Sequence, residues 1–226
     1  MENTNFSAIL ANRSSENRDH LDFYPTPPSA TIGLIDFLMR ENILYKHQTV
    51  WEPACGTGDM SKVIKKMGID VIESDITMGS DYLSCPVPIG EDIDWIITNP
   101  PFKLAKEFIT RSVEHRLNFA FLLKSQYWHS ANRLGLFRQY KPSYILPLTW
   151  RIDFKYKERG QGLEAKGSPT MDHIWVVWKR RWCDPDVMYP TDTIYQPLEK
   201  PIKNDYEWYL ENLSSQPLHD SISNSK

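Results

Sequence analysis

The chain has 226 residues, of which 41% are hydrophobic and 24% charged, and its formal net charge is -3. These values are typical of a globular protein with one sizeable core, and no apolar run approaches the roughly 20 residues of a membrane span. Three widely separated cysteines and six histidines show no paired spacing, so we expect neither a disulfide framework nor a metal site. The polar N-terminus lacks a signal pattern, and we expect a cytoplasmic protein without a membrane partner.

The charge is unevenly distributed along the chain. Residues 103–181 hold 16 Lys and Arg against 6 Asp and Glu, whereas the remaining residues hold 10 against 23. A basic block within an acidic chain is a candidate surface for a polyanion, and a solvated face without a partner is the alternative.

The N-terminal part predicts an arm followed by a helix. Residues 1–20 are polar and without periodicity, which predicts a flexible arm, and the proline-rich segment 22–28 is expected to be extended. The helix that follows is indicated by apolar residues at helical spacing: Ile32, Ile35, Leu38 and Met39. We expect Ser29 or Thr26 to cap it. A plain proline-rich entry into a helix would give the same pattern.

Residues 50–75 predict a strand, a Gly-rich turn, a helix and a second strand that ends in an acid. In doubly wound folds such a unit cradles a nucleoside, because glycines such as Gly56 and Gly58 let the backbone approach the ligand. The acid, Asp75, would accept hydrogen bonds from ribose hydroxyls. A tight structural turn is the common alternative for Gly-x-Gly alone. Asp81, on the next loop, is expected either to accept an adenine amine or to form a turn.

A buried strand at 93–97 leads into Asn99-Pro100-Pro101-Phe102. The prolines cannot donate hydrogen bonds, and they fix the path of the chain. The side-chain oxygen of Asn99 and the carbonyl of Pro100 can then serve as two acceptors beside the flat face of Phe102. This arrangement would hold a planar amino group attached to a planar ring.

The later part of the chain predicts a helix after residue 104, a strand at 119–123, and strands at 144–148 and 173–178. We expect the last two to pair as an antiparallel hairpin at the edge of the sheet. The stretch 149–172 between them is polar, basic and long for a hairpin connection, and we interpret it as a loop that meets the substrate. A disordered insertion is the alternative.

Residues 183–226 are predicted to form a C-terminal extension that is partly disordered, above all in its last dozen residues. Within it, Trp208, Tyr209 and Leu213 indicate a short helix that docks on the protein.

Taken in order, these motifs resemble those of class I S-adenosylmethionine-dependent methyltransferases, specifically small phage- or prophage-type DNA adenine-N6 methyltransferases. The resemblance covers roughly residues 20–180. Glu52-Pro53-Ala54-Cys55-Gly56-Thr57-Gly58 matches the cofactor-loop motif in its Glu-Pro-Ala-Cys form. Asn99-Pro100-Pro101-Phe102 matches the catalytic motif (Asn/Asp/Ser)-Pro-Pro-(Tyr/Phe/Trp). The resemblance implies an α/β fold with a doubly wound, seven-stranded, mostly parallel sheet and an antiparallel edge hairpin, within a catalytic domain at 21–182.

The resemblance also implies the roles of individual residues. It implies that S-adenosylmethionine is bound by Tyr24, Thr26, Pro27, Glu52, Ala54, Cys55, Gly56, Gly58, Asp75, Ile76, Asp81 and Tyr82. It implies a catalytic group formed by Asn99, Pro100, Pro101 and Phe102, in which Asn99 and Pro100 grip the target amine and Phe102 stacks on the target base. The residues expected to hold the substrate are Lys103, Lys124, Arg151 and Lys155.

The implied activity is methyl transfer to the N6 amine of adenine in DNA, after the base is flipped out of the duplex. The same motif serves methyltransferases of RNA adenine or guanine and of protein glutamine, and an inactive nucleic-acid-binding module is a further alternative. The segment 24–28 and the basic stretch 149–172 favour DNA. No large recognition domain is present, so sequence specificity is expected to be short, relaxed, or supplied by that stretch or by a partner.

Overall fold

The computed structural model describes residues 24–163, 169–180 and 192–213. The predicted arm and the last dozen residues lie outside these ranges. The described helices are α1 (Pro28–Arg40), α2 (Asp59–Lys66), α3 (Ala105–His115), α4 (Leu134–Gln139), α5 (Tyr156–Gly160) and α6 (Asp205–Leu213). The described strands are β1 (Thr49–Glu52), β2 (Asp70–Glu73), β3 (Trp95–Thr98), β4 (Asn118–Lys124), β5 (Tyr144–Pro147), β6 (His173–Trp178) and β7 (Ile194–Tyr195). Among these helices, none has the length and apolar character that crossing a bilayer requires.

The seven strands form one mixed sheet in the order β2-β1-β3-β4-β6-β5-β7. The first four strands of that order run parallel, and β6 is antiparallel to both β4 and β5. The predicted seven-stranded α/β sheet with an antiparallel pair is therefore confirmed. The hairpin prediction misses β7, which runs parallel to β5 on its outer side. A strand of two residues is too short to leave an alternating pattern in the sequence.

Two apolar layers cover the sheet, because successive residues of a strand point to opposite faces. In β3, Trp95 and Ile97 pack into the layer that contains α1 and α2, whereas Ile96 packs into the layer that contains α3. All four residues of β3 are buried. Burial on both faces explains why this strand reads as a continuous apolar run, and it fixes the position at which the chain leaves the sheet.

The start of α1 differs from the prediction. The helix begins at Pro28, its N-cap residue is Pro27, and no local side chain caps it, so the expected cap by Ser29 or Thr26 is wrong. Instead, the backbone N–H and the hydroxyl of Ser29 both donate to the carboxylate of Asp205, at 2.5 and 3.1 Å. A carboxylate from α6 therefore satisfies the first turn of α1, where the helix dipole favours negative charge.

The described part of the C-terminal extension is attached to the rest of the protein. α6 confirms the helix predicted there, and it packs against α1 and α5. β7 joins the sheet through backbone hydrogen bonds, in which the N–H of Ile194 donates to Ser143 O at 2.9 Å and the N–H of Gln196 donates to Ile145 O at 3.0 Å.

Residues 149–163, the first part of the predicted substrate loop, fold onto the body of the protein. Ile152 and Tyr156 are buried. The indole N–H of Trp150 donates to Ser29 Oγ at 3.2 Å, which ties the start of the segment to α1. The sequence did not predict α5, because five residues leave no helical period to recognise.

Candidate active site

A cavity of about 690 Å³ lies where the carboxyl ends of the parallel strands meet. Its walls include Glu52 at the end of β1, Asp75 just after β2 and Asn99 just after β3. Open α/β sheets bind ligands at this edge, and the volume is that of a site for a small organic molecule.

The Gly-rich turn after β1 forms one wall. Gly56 and Gly58 have positive φ angles of 54° and 72°, which residues with a side chain adopt at a cost. The N–H of Gly58 donates to Cys55 O at 2.8 Å, and the N–H of Cys55 donates to Ser74 O at 3.1 Å. A Cβ at Gly58 would lie 3.1 Å from Glu73 Oε1. The turn is therefore closed on itself and fastened to the end of β2.

Asp75 fastens the same turn from the other side. Its Oδ2 accepts the N–H of Gly56 at 2.9 Å, and its Oδ1 accepts the N–H and the hydroxyl of Thr77 at 2.8 and 2.7 Å. An ionised carboxylate has about four acceptor positions, so these three bonds leave room for one more donor. Asp75 can thus support the turn and still accept a hydrogen bond from a ligand.

Four carboxyl groups line the cavity, and we call Glu52, Asp59, Asp75 and Asp81 the acidic wall. Burial raises the pKa of Glu52 to about 8 and outweighs the hydrogen bond from Ser61, so this carboxyl holds a proton at neutral pH. Asp59 is paired with the ammonium of Lys157, so Asp75 and Asp81 give the cavity its negative field, against which the described lining supplies one lysine, Lys103. Such a field favours a cationic ligand and disfavours phosphate groups. Within the described residues, no cluster of His, Cys, Asp and Glu could hold a metal ion.

Asn99 presents a free acceptor in this cavity. Its Nδ2 donates to Thr26 Oγ1 at 3.1 Å, which orients the amide. Its Oδ1 is buried and has no hydrogen-bond partner within the part of the chain that the structure describes. A buried acceptor without a partner costs about 1–3 kcal/mol, so a ligand N–H at this position would be bound favourably.

The motif Asn99-Pro100-Pro101-Phe102 ends in a group of four rings. We call Tyr24, Phe102, Phe154 and His173 the aromatic quartet. The Phe102 centroid lies 5.7 Å from that of Tyr24 and 6.0 Å from that of His173. Phe154 closes the circuit at 5.2 Å from Tyr24 and 5.3 Å from His173. The ammonium of Lys124 lies 3.9 Å from the Phe102 centroid, a close cation–π contact.

His173 is neutral within this quartet. Burial, with a smaller contribution from the ammonium of Lys124, lowers the pKa of its imidazole to about 4 and outweighs the hydrogen bond to Met171 O, which raises it. Nδ1 lies 3.2 Å from Met171 O, so the neutral ring places its proton there. Nε2 is then an acceptor, and no partner for it occurs among the described residues.

Most of the predicted site residues line the cavity: Tyr24, Thr26, Glu52, Ala54, Cys55, Gly56, Asp75, Ile76, Asp81, Tyr82, Asn99, Pro101 and Lys103. Some of them also have structural partners. The hydroxyl of Tyr82 lies 2.6 Å from Ser112 Oγ, and Asp81 Oδ1 accepts the N–H of Leu83 at 3.0 Å. Asp81 therefore forms a turn, the second of its two expected roles, while it lines the cavity.

The remaining predicted cofactor and catalytic residues lie beside the cavity. Pro27 and Gly58 are the N-cap residues of α1 and α2. Pro100, which follows Asn99 in the chain, is buried, and Phe102 belongs to the aromatic quartet.

The predicted substrate-binding cations are not all brought together. Lys103 lines the cavity and Lys124 covers Phe102. Arg151 forms an exposed ion pair with Asp172 at 3.0 Å, and Lys155 is exposed on the surface nearby.

Sequence reasoning missed several members of the site. Thr57 lies within the Gly-rich turn and Asp59 follows it directly, so their place in the sequence was a usable signal. Phe154 and His173 carried no such signal, because only the folding of residues 149–163 onto the body brings Phe154 to Tyr24 and His173.

The likeness of this chain to known proteins concerns the fold. No protein-family profile matches the chain, and no curated protein matches it. A solved structure from Pyrococcus horikoshii, described as a "putative RNA methyltransferase", matches at 14% sequence identity with a TM-score of 0.50. The match covers 78% of this chain and 97% of that one. The chain therefore has the fold of that methyltransferase structure, a seven-stranded mixed sheet flanked by helices.

Proposed function

We propose that this protein transfers a methyl group from S-adenosylmethionine to the N6 amine of adenine in DNA. The observation that carries the proposal is Asn99 Oδ1, a buried acceptor without a partner among the described residues, on the wall of a cavity that suits a nucleoside. An amine N–H is the donor that such an acceptor lacks.

The residues of the cavity fit the proposed cofactor. The Gly56 turn allows close approach of a ligand, Asp75 retains capacity to accept a hydroxyl, and the acidic wall favours positive charge. When bound, S-adenosylmethionine supplies a methyl group on a positively charged sulfur, which is already an activated donor. The same carboxylates would repel nucleotide cofactors that carry phosphates.

Asn99 would act on the target amine. The lone pair of an exocyclic amine is delocalised into its ring, which makes the amine a poor nucleophile. Asn99 Oδ1 accepts one N–H, and the carbonyl of Pro100 is the proposed second acceptor. Two acceptors that draw the N–H groups out of the ring plane localise the lone pair on nitrogen. Methylation makes the amine acidic, and it would then release its extra proton to these acceptors or to water. Because Thr26 holds the amide of Asn99, its position is set before the substrate arrives.

The aromatic quartet would receive the base. A base in a duplex must be flipped out to reach Asn99, and stacking on an aromatic ring offsets about 1–3 kcal/mol of that cost. Lys124 covers one face of Phe102, so a base that stacks on that face displaces the ammonium. A displaced Lys124 could then pair with a phosphate of the same strand.

RNA is the second candidate substrate. The structural neighbour is described as acting on RNA, and Asn99 would serve any conjugated amine equally well. The pairing of Arg151 with Asp172 also removes one cation from the surface that favoured DNA.

The test offers labelled cofactor separately with duplex DNA, single-stranded DNA, RNA and protein, using Asn99→Ala as the background control. The proposal expects label in DNA, recovered as N6-methyladenine. Label in RNA or protein alone overturns the choice of DNA. A cofactor-bound protein that labels none of the four overturns methyl transfer itself.

A further inference from the structure

Residues 149–163, which we call the bridging segment, touch both halves of the site. Phe154 belongs to the aromatic quartet. Two and three residues further on, Tyr156 and Lys157 contact Asp59 of the acidic wall. Because these contacts lie so close together in the sequence, displacing the residues at one contact also displaces the residues at the other.

Asp59 joins the bridging segment to the cofactor loop. Its Oδ1 accepts the hydroxyl of Tyr156 at 3.2 Å and pairs with Lys157 Nζ at 2.5 Å. Its Oδ2 accepts the hydroxyl of Thr57, which belongs to the Gly-rich turn. Asp59 is nearly fully buried and lines the cavity. Removing the cation would leave a buried charge uncompensated, so the pair holds the segment firmly in place.

α6 supports this attachment from behind. The ring of Tyr209 lies 6.0 Å from that of Tyr156, in an edge-to-face arrangement. The ammonium of Lys157 lies 4.7 Å from the Tyr209 centroid. The bridging segment is thus held between the acidic wall and α6.

We propose that Tyr156 and Lys157 are positioning residues that couple the cofactor site to the aromatic quartet, so that cofactor and target base each strengthen the binding of the other. The identity of the two ligands rests on the proposed function. A ligand against the cofactor loop fixes the Asp59 carboxylate, and through it the position of Phe154. Coupling between two sites typically changes affinity about 5- to 150-fold, and it is reciprocal.

The first experiment needs no ligand. Hydrogen exchange is compared between the parent protein, the double variant Tyr156→Phe/Lys157→Met and the control Arg159→Met. The control lies on the same helix and loses an ion pair with Asp153 that does not involve Asp59. The double variant should raise exchange within residues 152–162 and also at Leu148, whose N–H donates to His173 O. Faster exchange in the segment without any change at Leu148 would overturn the coupling.

The second experiment measures the coupling itself. The affinity for an adenine-containing oligonucleotide is titrated with and without S-adenosylhomocysteine, which has no methyl group to transfer. The parent protein and Arg159→Met should bind the oligonucleotide at least about 5-fold more tightly with the cofactor product present. The double variant should reduce that ratio to within about twofold. It should unfold at a lower denaturant concentration than the control, because Asp59 loses its cation, so both affinities are measured without denaturant on protein shown to be folded.

The outcomes separate this inference from the proposed function. A ratio of one in the parent protein, or an unchanged ratio in the double variant, overturns the inference even if methyl transfer occurs. A protein that binds neither ligand overturns the proposed function, and hydrogen exchange in the free protein then decides the inference alone.

Discussion

The acidic wall lines the cavity, the aromatic quartet adjoins it through Tyr24, and the two are built in different ways. The members of the acidic wall come from the ends of β1 and β2 and the turns that follow, within residues 52–81. The members of the quartet come from four separate segments, between Tyr24 and His173. The wall therefore follows from local chain geometry, whereas the quartet exists only when distant segments have packed.

The two regions also differ in the charged groups that they contain. The wall holds carboxyl groups whose bonds leave acceptor capacity, and Asp75 is the clearest example. The quartet holds apolar faces, a neutral imidazole and the ammonium of Lys124. Such a division suits a cationic cofactor at one end and a planar base at the other. Variants that disturb one region and spare the other test whether the two regions bind these different ligands.

The largest effect is expected at Asn99, which stands between the two regions. Asn99→Ala removes the free hydrogen-bond acceptor and should lower kcat by at least about 100-fold, the scale of a lost hydrogen bond that stabilises the transition state. Cofactor affinity, measured by calorimetry, should stay within about twofold, because the hydrogen bond of Asn99 runs to Thr26 and not to the acidic wall.

Thr26→Val serves as the matched control, because it removes the Oγ1 that holds Asn99 Nδ2 and keeps the shape of the side chain. It should cost less than Asn99→Ala, since the acceptor remains although its orientation is lost. An Asn99→Ala protein that keeps a tenth or more of parent turnover would show that the amine is held elsewhere.

A smaller effect is expected in the quartet itself. Phe102→Ala should weaken target binding by about 1–3 kcal/mol, the value of one stacked base, and leave cofactor affinity unchanged. Tyr45→Ala is the control, because Tyr45 is an exposed aromatic residue that stacks on His47 and belongs to neither region. Affinity for the nucleic acid substrate, titrated at one fixed salt concentration, is the measurement. Equal losses in the two variants would contradict the assignment of the stacking face.

The contrast between the two regions explains which features could be predicted from the sequence. The Gly56 turn, Asp75 and Asn99 were predicted because the residues that make each feature are close in the sequence, and turn chemistry and strand ends specify them locally. The sheet was predicted for the same reason, except for β7, which is too short to show a period.

The parts of the fold and of the site that were not predicted depend on contacts between residues far apart in the sequence. No local pattern pairs Asp205 with Ser29, or brings Phe154 to the ring of Tyr24. The stretch 149–172 was interpreted from its charge, yet Lys157 is turned to Asp59 and Arg151 to Asp172. Charge composition does not reveal which cations already have partners, because that depends on tertiary packing.

The third prediction concerns the turn of the acidic wall. Gly58→Ala places a side chain at a φ of 72° and within 3.1 Å of Glu73 Oε1. The left-handed conformation costs roughly 1–2 kcal/mol in a residue with a Cβ, so stability to denaturant should fall by about that amount. Cofactor affinity should fall as well, because the turn can escape the strain by opening.

Gly135→Ala is the matched control for that change. Gly135 lies in α4, and among the described residues nothing beyond its own helix lies within 4 Å of the position that a Cβ would take. Alanine is favoured over glycine inside a helix by about 0.5–1 kcal/mol, so the control should be neutral or slightly stabilising. A Gly58→Ala protein as stable as the parent would mean that the turn is not held in the left-handed conformation.

The last prediction separates the two regions by the pH dependence of stability. Glu52 in the acidic wall has a pKa raised from 4.5 to about 8, because burial disfavours its charge. Between these values the folded protein holds a proton that the unfolded chain has lost, so stability falls as pH rises. His173 has a pKa lowered from 6.5 to about 4. Between those values the unfolded chain holds the extra proton, so stability falls as pH decreases. Each group contributes at most about 1.4 kcal/mol per pH unit.

Urea unfolding between pH 4.5 and 8 therefore assigns each slope to one region. Above pH 6.5 the decline in stability comes from Glu52, and His173 does not contribute to it. Glu52→Gln should therefore flatten the decline there, whereas His173→Phe should leave it unchanged. Below pH 6.5 the two contributions oppose each other, and His173→Phe should expose the full slope of Glu52. If Glu52→Gln left the decline above pH 6.5 intact, the acidic wall would contain an ionised Glu52, and its negative field would be stronger than the buried, protonated carboxyl implies.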